Sequence, residues 1–272
     1  MNKPRLAAID IGTNSFHLII VEVDTGTGKF NILGREKESV RLGSGSSDMK
    51  YLSEDAMNRG IESLKKFSAL AESAGAPVRA IATSAVREAQ NQGTFIRRAR
   101  IEAGIRIEVA SGVEEARYIY LGILQSLPVF DKNILLVDIG GGSTEFLIAE
   151  QRNIAYDNSL KLGSIRLTQR FFKDGLTEAK QVKACRQFIR GFMQHVIRES
   201  GKHKFEAAVG SSGTILNIAS IINFKRGGNA DIKLNNFTFT KDELAGVVDD
   251  ILEAKTLKQR YKIPGLDEDR AD

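Results

Sequence analysis

Two stretches of the chain share one pattern: an apolar run closing on Asp-Ile-Gly, a few small polar residues, then a second apolar run. They are "LAAIDIGTNSFHLIIVEV", residues 6 to 23, and "LLVDIGGGSTEFLIAE", residues 135 to 150. In the first, Gly12 closes the run 6–12, and Thr13, Asn14 and Ser15 separate it from an Ile- and Val-rich run over 16–23. That predicts two strands joined by a hairpin turn. A third strand is predicted over 29–43. Residues 53–75 then place Ile61, Leu64, Phe67 and Leu70 at helical spacing, with Ser53 and Asp55 at the start and Gly75 at the stop. A strand at 78–82, a helix from about 84, a strand at 105–110 and a helix at 113–127 complete a first half that opens β-β-β-α.

The order repeats in the second half. Strands are predicted at 134–139, 144–150 and 153–160, with helices near 164–173 and at 178–199. A buried strand at 205–210 leads through "SSGT" into the helix "ILNIASII". Gly227 and Gly228 mark a loop, and Thr240 with Glu243 three residues on forms a capping box for a last helix. The predicted fold class is α/β, with two domains over 1–130 and 131–272 joined by a short linker at 128–133. The closing "PGLDEDRAD" reads as a turn entering a helix whose apolar face does not follow, so the second domain is expected to lack its C-terminal elements.

Composition narrows this picture. At 272 residues the chain suits two domains, and 42% hydrophobic with 27% charged residues is what a globular protein with a sizeable core requires. A single cysteine, Cys185, excludes an internal disulfide or a cysteine-rich zinc site and reads as a packed thiol, which fits a reducing cytoplasm. There is no apolar run of membrane-spanning length, and Asp10 interrupts the only place for a signal-peptide core, so neither membrane nor export by that route is expected. A net charge of +5 favours a polyanionic ligand.

Aligning the hairpins pairs Asp10 with Asp138, Gly12 with Gly140, Ser15 with Ser143 and His17 with Glu145, 128 residues apart. Either turn alone needs no more explanation than a tight hairpin. Two equivalent turns, each with a carboxylate at a strand end, suggest duplicated walls of a cleft. Small turn residues let backbone N–H groups approach phosphate oxygens, and Thr13, Asn14, Ser15, Ser143 and Thr144 add side-chain donors. Carboxylates repel bare phosphate, so a divalent cation, magnesium above all, would reconcile the charges. The pattern is neither a Walker loop, which needs a Lys and a following helix, nor the dinucleotide fingerprint.

Three further stretches could join such a site. "GSSGT" (Gly210, Ser211, Ser212, Gly213, Thr214) turns from a strand into a helix N-terminus, an anion-binding arrangement. "SGVEEARYIY" carries Glu114 and Glu115 at a helix start; adjacent helical side chains diverge by about 100°, so one of them at most faces the cleft, where it could deprotonate a water. Arg87 in "ATSAVREA" is a candidate phosphate ligand, and Arg35, Lys37, Arg41, Lys161 and Arg166 are candidate contacts for the remainder of a long anion.

Taken together, "AAIDIGTNSFHLII", "ATSAVREA", "SGVEEAR", "VDIGGGSTEF", "GSSGT" and "PGLDEDRAD" resemble the exopolyphosphatase and guanosine pentaphosphate phosphohydrolase family, within the superfamily of actin, sugar kinases and chaperone ATPases. The resemblance implies two ribonuclease-H-like (actin-like ATPase) domains with mixed five-stranded sheets and an interdomain cleft. It makes Gly12, Thr13, Asn14 and Ser15 one phosphate motif and Gly140, Gly141, Gly142, Ser143 and Thr144 the other, with Asp10, Asp138 and Glu145 toward the metal. It places the catalytic base on Glu115, with Glu114 as the alternative, and puts Arg87 on the polyanion. The implied reaction is magnesium-dependent release of terminal phosphate from inorganic polyphosphate or guanosine penta- or tetraphosphate, in a chain that the family pattern allows to be a homodimer. A nonenzymatic polyphosphate or alarmone sensor is the rival from another class. Sugar-kinase chemistry ranks lower because the sequence offers a candidate water base and no recognised nucleotide-binding loop, and nucleic-acid binding because the motifs address a terminal phosphate.

Overall fold

In a computed structural model, residues 3–44 and 49–271 are described. The chain divides into two compact units, Met1–Gly112 and Val113–Asp272. The first is built on β1 (Arg5–Ile11), β2 (Ser15–Val23) and β3 (Phe30–Ser39), an antiparallel meander, followed by α1 (Glu54–Ser73), β4 (Val78–Ala82), α2 (Ser84–Glu88), α3 (Gln92–Glu102) and β5 (Ile107–Val109). Its sheet runs β3-β2-β1-β4-β5, with β4 and β5 parallel to β1. This mixed five-stranded order is the ribonuclease-H-like unit that the family resemblance implies.

Helix α1 forms where the sequence places it. Ser53 accepts the Ala56 N–H at 3.2 Å, and Ile61, Leu64 and Phe67 are buried with Phe16 and Phe95 in the unit's core. The helix expected from 84 is broken in two. Ala89 is extended at φ −74°, ψ 127°, and the Asn91 side chain is captured by Leu52, accepting its N–H and donating to its carbonyl, both at 2.9 Å. The third strand stops at Ser39, short of the expected 43, because residues 40–43 turn back onto the first hairpin. Part of the segment joining it to α1, residues 45–48, lies outside the described residues.

The second unit opens with α4 (Gly112–Ser126), which was expected in the first. It belongs here because Ala116 and Tyr120 bury themselves with Ile134, Leu136, Leu147, Ala149 and Val209; residues 128–133 are thus a loop inside this unit and not the linker. Strands β6 (Ile134–Ile139), β7 (Thr144–Glu150) and β8 (Asn153–Leu160) form a second antiparallel meander, followed by α5 (Ser164–Phe171), α6 (Ala179–Ser200), β9 (Ala207–Ser211), α7 (Ser212–Lys225), α8 (Lys241–Glu253), α9 (Leu257–Arg260) and a short 3-10 turn, Glu268–Arg270. The sheet order is β8-β7-β6-β9, with β9 parallel to β6. Among the described residues this sheet has four strands where five were expected, since helices α8 and α9 follow α7 with no strand after them. The capping box at the start of α8 forms as predicted, with Thr240 Oγ1 accepting from Glu243 N at 3.2 Å and Glu243 accepting from Thr240 N at 2.8 Å. Cys185 is packed, and burial pushes its thiol pKa up. No helix of the described residues is long and apolar enough to cross a membrane.

Candidate active site

The first hairpin pairs Asp10 with His17 and Ile11 with Phe16, leaving residues 12–14 as its turn. Gly12 N–H donates to Ser15 O at 3.2 Å, and a Cβ on Gly12 would lie 2.8 Å from that oxygen, so only glycine closes the turn. The carbonyls of Thr13 and Asn14 accept from Gly43 N at 3.0 Å and Arg41 N at 2.6 Å. A trans peptide points its C=O and the next residue's N–H in opposite directions, so the amides of Asn14 and Ser15 face away from residues 41–43. The Thr13 hydroxyl is engaged with Ser84 Oγ at 2.8 Å in a buried contact, while Asp10 is exposed at the end of β1. Arg87, on α2 of this unit, is half-buried and donates to Ala110 O at 2.9 Å.

The second hairpin repeats the geometry, with Asp138 opposite Glu145 and Ile139 opposite Thr144. Gly140 N donates to Ser143 O at 3.0 Å. Its three glycines are held from one side by the start of α5. Ser164 N donates to Gly140 O at 2.9 Å, Arg166 N to Gly141 O at 3.2 Å and Arg166 Nε to Gly142 O at 2.8 Å. The same peptide geometry therefore turns the amides of Gly141, Gly142 and Ser143 away from α5. Arg166, read from sequence as a contact for a long anion, is buried behind the turn instead. Gly163, which the sequence reading passed over, makes this approach possible. A Cβ there would sit 2.3 Å from backbone atoms of Gly141 and Gly142. Thr144 Oγ1 donates to Leu162 O at 3.0 Å, tying the turn to the same segment.

At the third turn, Ser211 lies beside Asp138 in the parallel pairing of β6 and β9. The Ser211 and Ser212 hydroxyls lie beside Asp138, and Ser212, held at φ 73°, donates its hydroxyl proton to Ile139 O at 2.7 Å. Gly210 and Gly213 make room for side chains: Ile215 packs over the first, and the Arg270 guanidinium lies over the second with Nη1 3.5 Å from Thr214 Oγ1. A cation thus stands at the turn that the sequence reading gave to an anion. Arg270 lies within the "PGLDEDRAD" motif, whose residue pattern assigns it no role.

A family model described as the Ppx/GppA phosphatase family matches residues 19–272. The chain belongs to the Ppx/GppA phosphatase family. It is 31% identical to a Haemophilus influenzae protein named, provisionally, as an exopolyphosphatase, over 100% of this chain and 81% of that one. It is 36% identical over 221 residues to the guanosine-5'-triphosphate,3'-diphosphate pyrophosphatase of Photobacterium profundum, 81% of this chain and 44% of the relative. Among solved structures, an exopolyphosphatase from Cytophaga hutchinsonii superposes with a TM-score of 0.89 at 30% identity, covering 98% of this chain and 86% of that one. The Aquifex aeolicus member of the Ppx/GppA family gives 0.77 at 26% identity, covering 98% and 85%.

The carboxylates of this Ppx/GppA chain divide by environment. Of the two at the start of α4, Glu114 is exposed and Glu115 is half-buried. Glu115 is close enough to Glu145 for its charge to act there. Glu145 is 1% exposed, and its pKa is pushed up to about 8, first by burial, then by the Glu115 charge, with Asp138 adding to it. Hydrogen bonds from Ser143 and from Ser159, whose hydroxyl donates to Glu145 Oε1 at 2.7 Å, work the other way. Burial likewise raises Asp138, opposed by the neighbouring Ser211 and Ser212 hydroxyls. Ser159 is a residue that sequence reasoning missed, since a strand serine carries no pattern of its own.

This geometry predicts a pH dependence for the metal-free protein. The unfolded chain releases the Glu145 proton near 4.5 and the folded chain only near 8. Between those values the folded state binds more protons, so stability falls as pH rises through the window and levels off above it. Glu145→Gln is expected to flatten that fall, gaining on the order of a few kcal/mol relative to the parent at the alkaline end. Denaturant melts across the pH range check it; parallel profiles for parent and variant would contradict the burial of a strained carboxylate.

Proposed function

We propose that this protein is an exopolyphosphatase that releases terminal orthophosphate from inorganic polyphosphate by attack of water. The observation that carries the reading is Glu115: a half-buried carboxylate at a helix start whose charge acts on Glu145 beside the glycine turn. The relatives named for exopolyphosphatase and for guanosine pentaphosphate hydrolysis support it.

The chemistry follows from the parts. The amides of Gly141, Gly142 and Ser143 bind oxygens of the terminal phosphoryl group, acting where charge is held through the transition state. The proposed first-turn ligands, Gly12, Thr13, Asn14 and Ser15, act by the same amide argument, with Arg87 supplying a guanidinium for phosphate. Glu115 orients a water and accepts its proton as the oxygen bonds to phosphorus and the bridging oxygen departs with the shortened chain. Phosphoryl transfer asks mainly for positioning and charge, which is what this site offers.

Magnesium fits this proposal in a particular way. Among the described residues no three His, Cys, Asp or Glu converge as a protein-only metal cage. Magnesium characteristically takes one or two carboxylates and completes its shell with phosphate oxygens and water. The buried Asp138 and Glu145, paired across the hairpin, present that kind of donor set, and Asp10 is its counterpart at the first turn. When bound, magnesium would neutralise phosphate charge and orient the phosphoanhydride. Asp138→Asn is expected to raise the magnesium concentration for half-maximal activity by roughly tenfold or more, the scale on which metal-site partners act. An unchanged titration would remove Asp138 from the metal.

The 36% identity to the Photobacterium pyrophosphatase favours guanosine pentaphosphate 5'-phosphohydrolase activity as the second reading. Both substrates end in a phosphoanhydride. Competition decides between them: each is supplied as the other's inhibitor while orthophosphate release is followed, and the preferred substrate suppresses turnover of the other. Tight binding of both with no release from folded protein would instead mark a sensor.

A further inference from the structure

The turn 140–142 is three consecutive glycines, the residue type with the widest backbone freedom, so its sequence does not by itself hold one shape. Something outside the turn must impose it. The carbonyls of all three glycines are taken by residues 164–166, and two side chains take part: Ser164, whose hydroxyl donates to Gly140 O at 3.4 Å, and Arg166, only 5% exposed, with Nε donating to Gly142 O at 2.8 Å. The first turn, Gly-Thr-Asn, is held through the main-chain N–H groups of Arg41 and Gly43. The second adds a buried guanidinium.

Burying a guanidinium is costly, and a well-packed apolar residue of similar volume is often as good or better for stability. The Nε contact gives this guanidinium an effect beyond folding, on the turn itself. A charged donor on Gly142 O polarises the peptide that continues to Ser143, making the Ser143 N–H on the opposite side a stronger donor to an anion. It also fixes the plane of that peptide and adds a positive charge behind it.

We propose that Arg166 is a positioning residue for substrate phosphate: without touching it, Arg166 aims and polarises the Gly142–Ser143 peptide from behind. This rests on the reading of the turn as a phosphate-binding element given above, and it assigns a function to a residue outside the turn.

The test compares the parent chain with Arg166→Met, an apolar replacement of similar length. Binding of inorganic tripolyphosphate is measured by calorimetry, KM and kcat for polyphosphate by phosphate release, and folding by thermal melting. The expected result is a cooperative melt with the midpoint retained, tripolyphosphate binding and KM weakened roughly tenfold, the scale of one charge-assisted hydrogen bond, and a smaller loss in kcat. Unchanged binding by a folded Arg166→Met chain overturns the proposal. So does a loss that tracks only the fraction of protein unfolded, which would make Arg166 a purely structural residue. If Arg166→Met does not fold, Arg166→Lys replaces it, keeping the charge but not the planar Nε contact. Its binding is expected to be roughly threefold weaker, and parent-like binding overturns the proposal. Parent protein that binds tripolyphosphate but releases no phosphate ends the hydrolase reading, and the binding comparison still decides Arg166. Parent protein that does not bind it overturns both.

Discussion

Replacing Gly163 by alanine is expected to cost both stability and turnover. The residue has φ −71°, a conformation any amino acid adopts, so backbone strain is not the reason. The reason is space: the new Cβ would sit 2.3 Å from the Gly141 carbonyl and from Gly142, atoms with no rotamer to escape into. Overpacking of this kind costs typically 1–3 kcal/mol, which in a chain of this size lowers the melting temperature by roughly 2–4 °C per kcal/mol. The turn must move to relieve it. Displacement of a phosphate-binding element by about 1 Å is enough to lower catalysis roughly a hundredfold. Gly122→Ala on α4, where an added Cβ meets nothing within 4 Å, is the matched control and is expected to melt no lower than the parent. Thermal melts and phosphate release measured on both variants check this; a Gly163→Ala protein with parental melting and turnover would contradict the packing of the turn against α5.

Glu115→Gln is expected to keep the fold and polyanion binding while lowering phosphate release by roughly a hundredfold or more, the scale of losing a general base. The substitution keeps the side chain's size and removes its negative charge, so the repulsion that raises Glu145 is also relieved. Stability is therefore expected to hold or rise as activity collapses. Glu114→Gln, at the exposed neighbour, is expected to change release little. Equal losses in the two variants, or near-parental release in Glu115→Gln, would sink the assignment of the base.

The duplicated hairpins were legible because short apolar runs ending in glycine and small polar residues allow few other structures. The capping residues of α1 and α8 were legible for the same local reason. What stayed hidden depends on residues distant in sequence. Asn91 breaks a helix because it finds Leu52, and α4 joins the second unit because Ala116 and Tyr120 find the β6 and β7 core. Within the candidate site, only the family resemblance distinguishes Glu115 from Glu114 in the sequence, since their spacing allows either. Arg166 reads from sequence as a contact for a long anion, and Gly163 carries no signal of its own. Neither residue type nor spacing reveals that a peptide turn lies directly against them.

The most direct test of the central claim is the product pattern from long-chain polyphosphate of defined length, incubated with folded parent protein and magnesium and resolved by electrophoresis alongside an orthophosphate assay. The proposed activity predicts orthophosphate as the released product from the first time point, chains shortening from their ends, and loss of both in Glu115→Gln. Internal fragments in place of orthophosphate, or no release from folded protein, would contradict it.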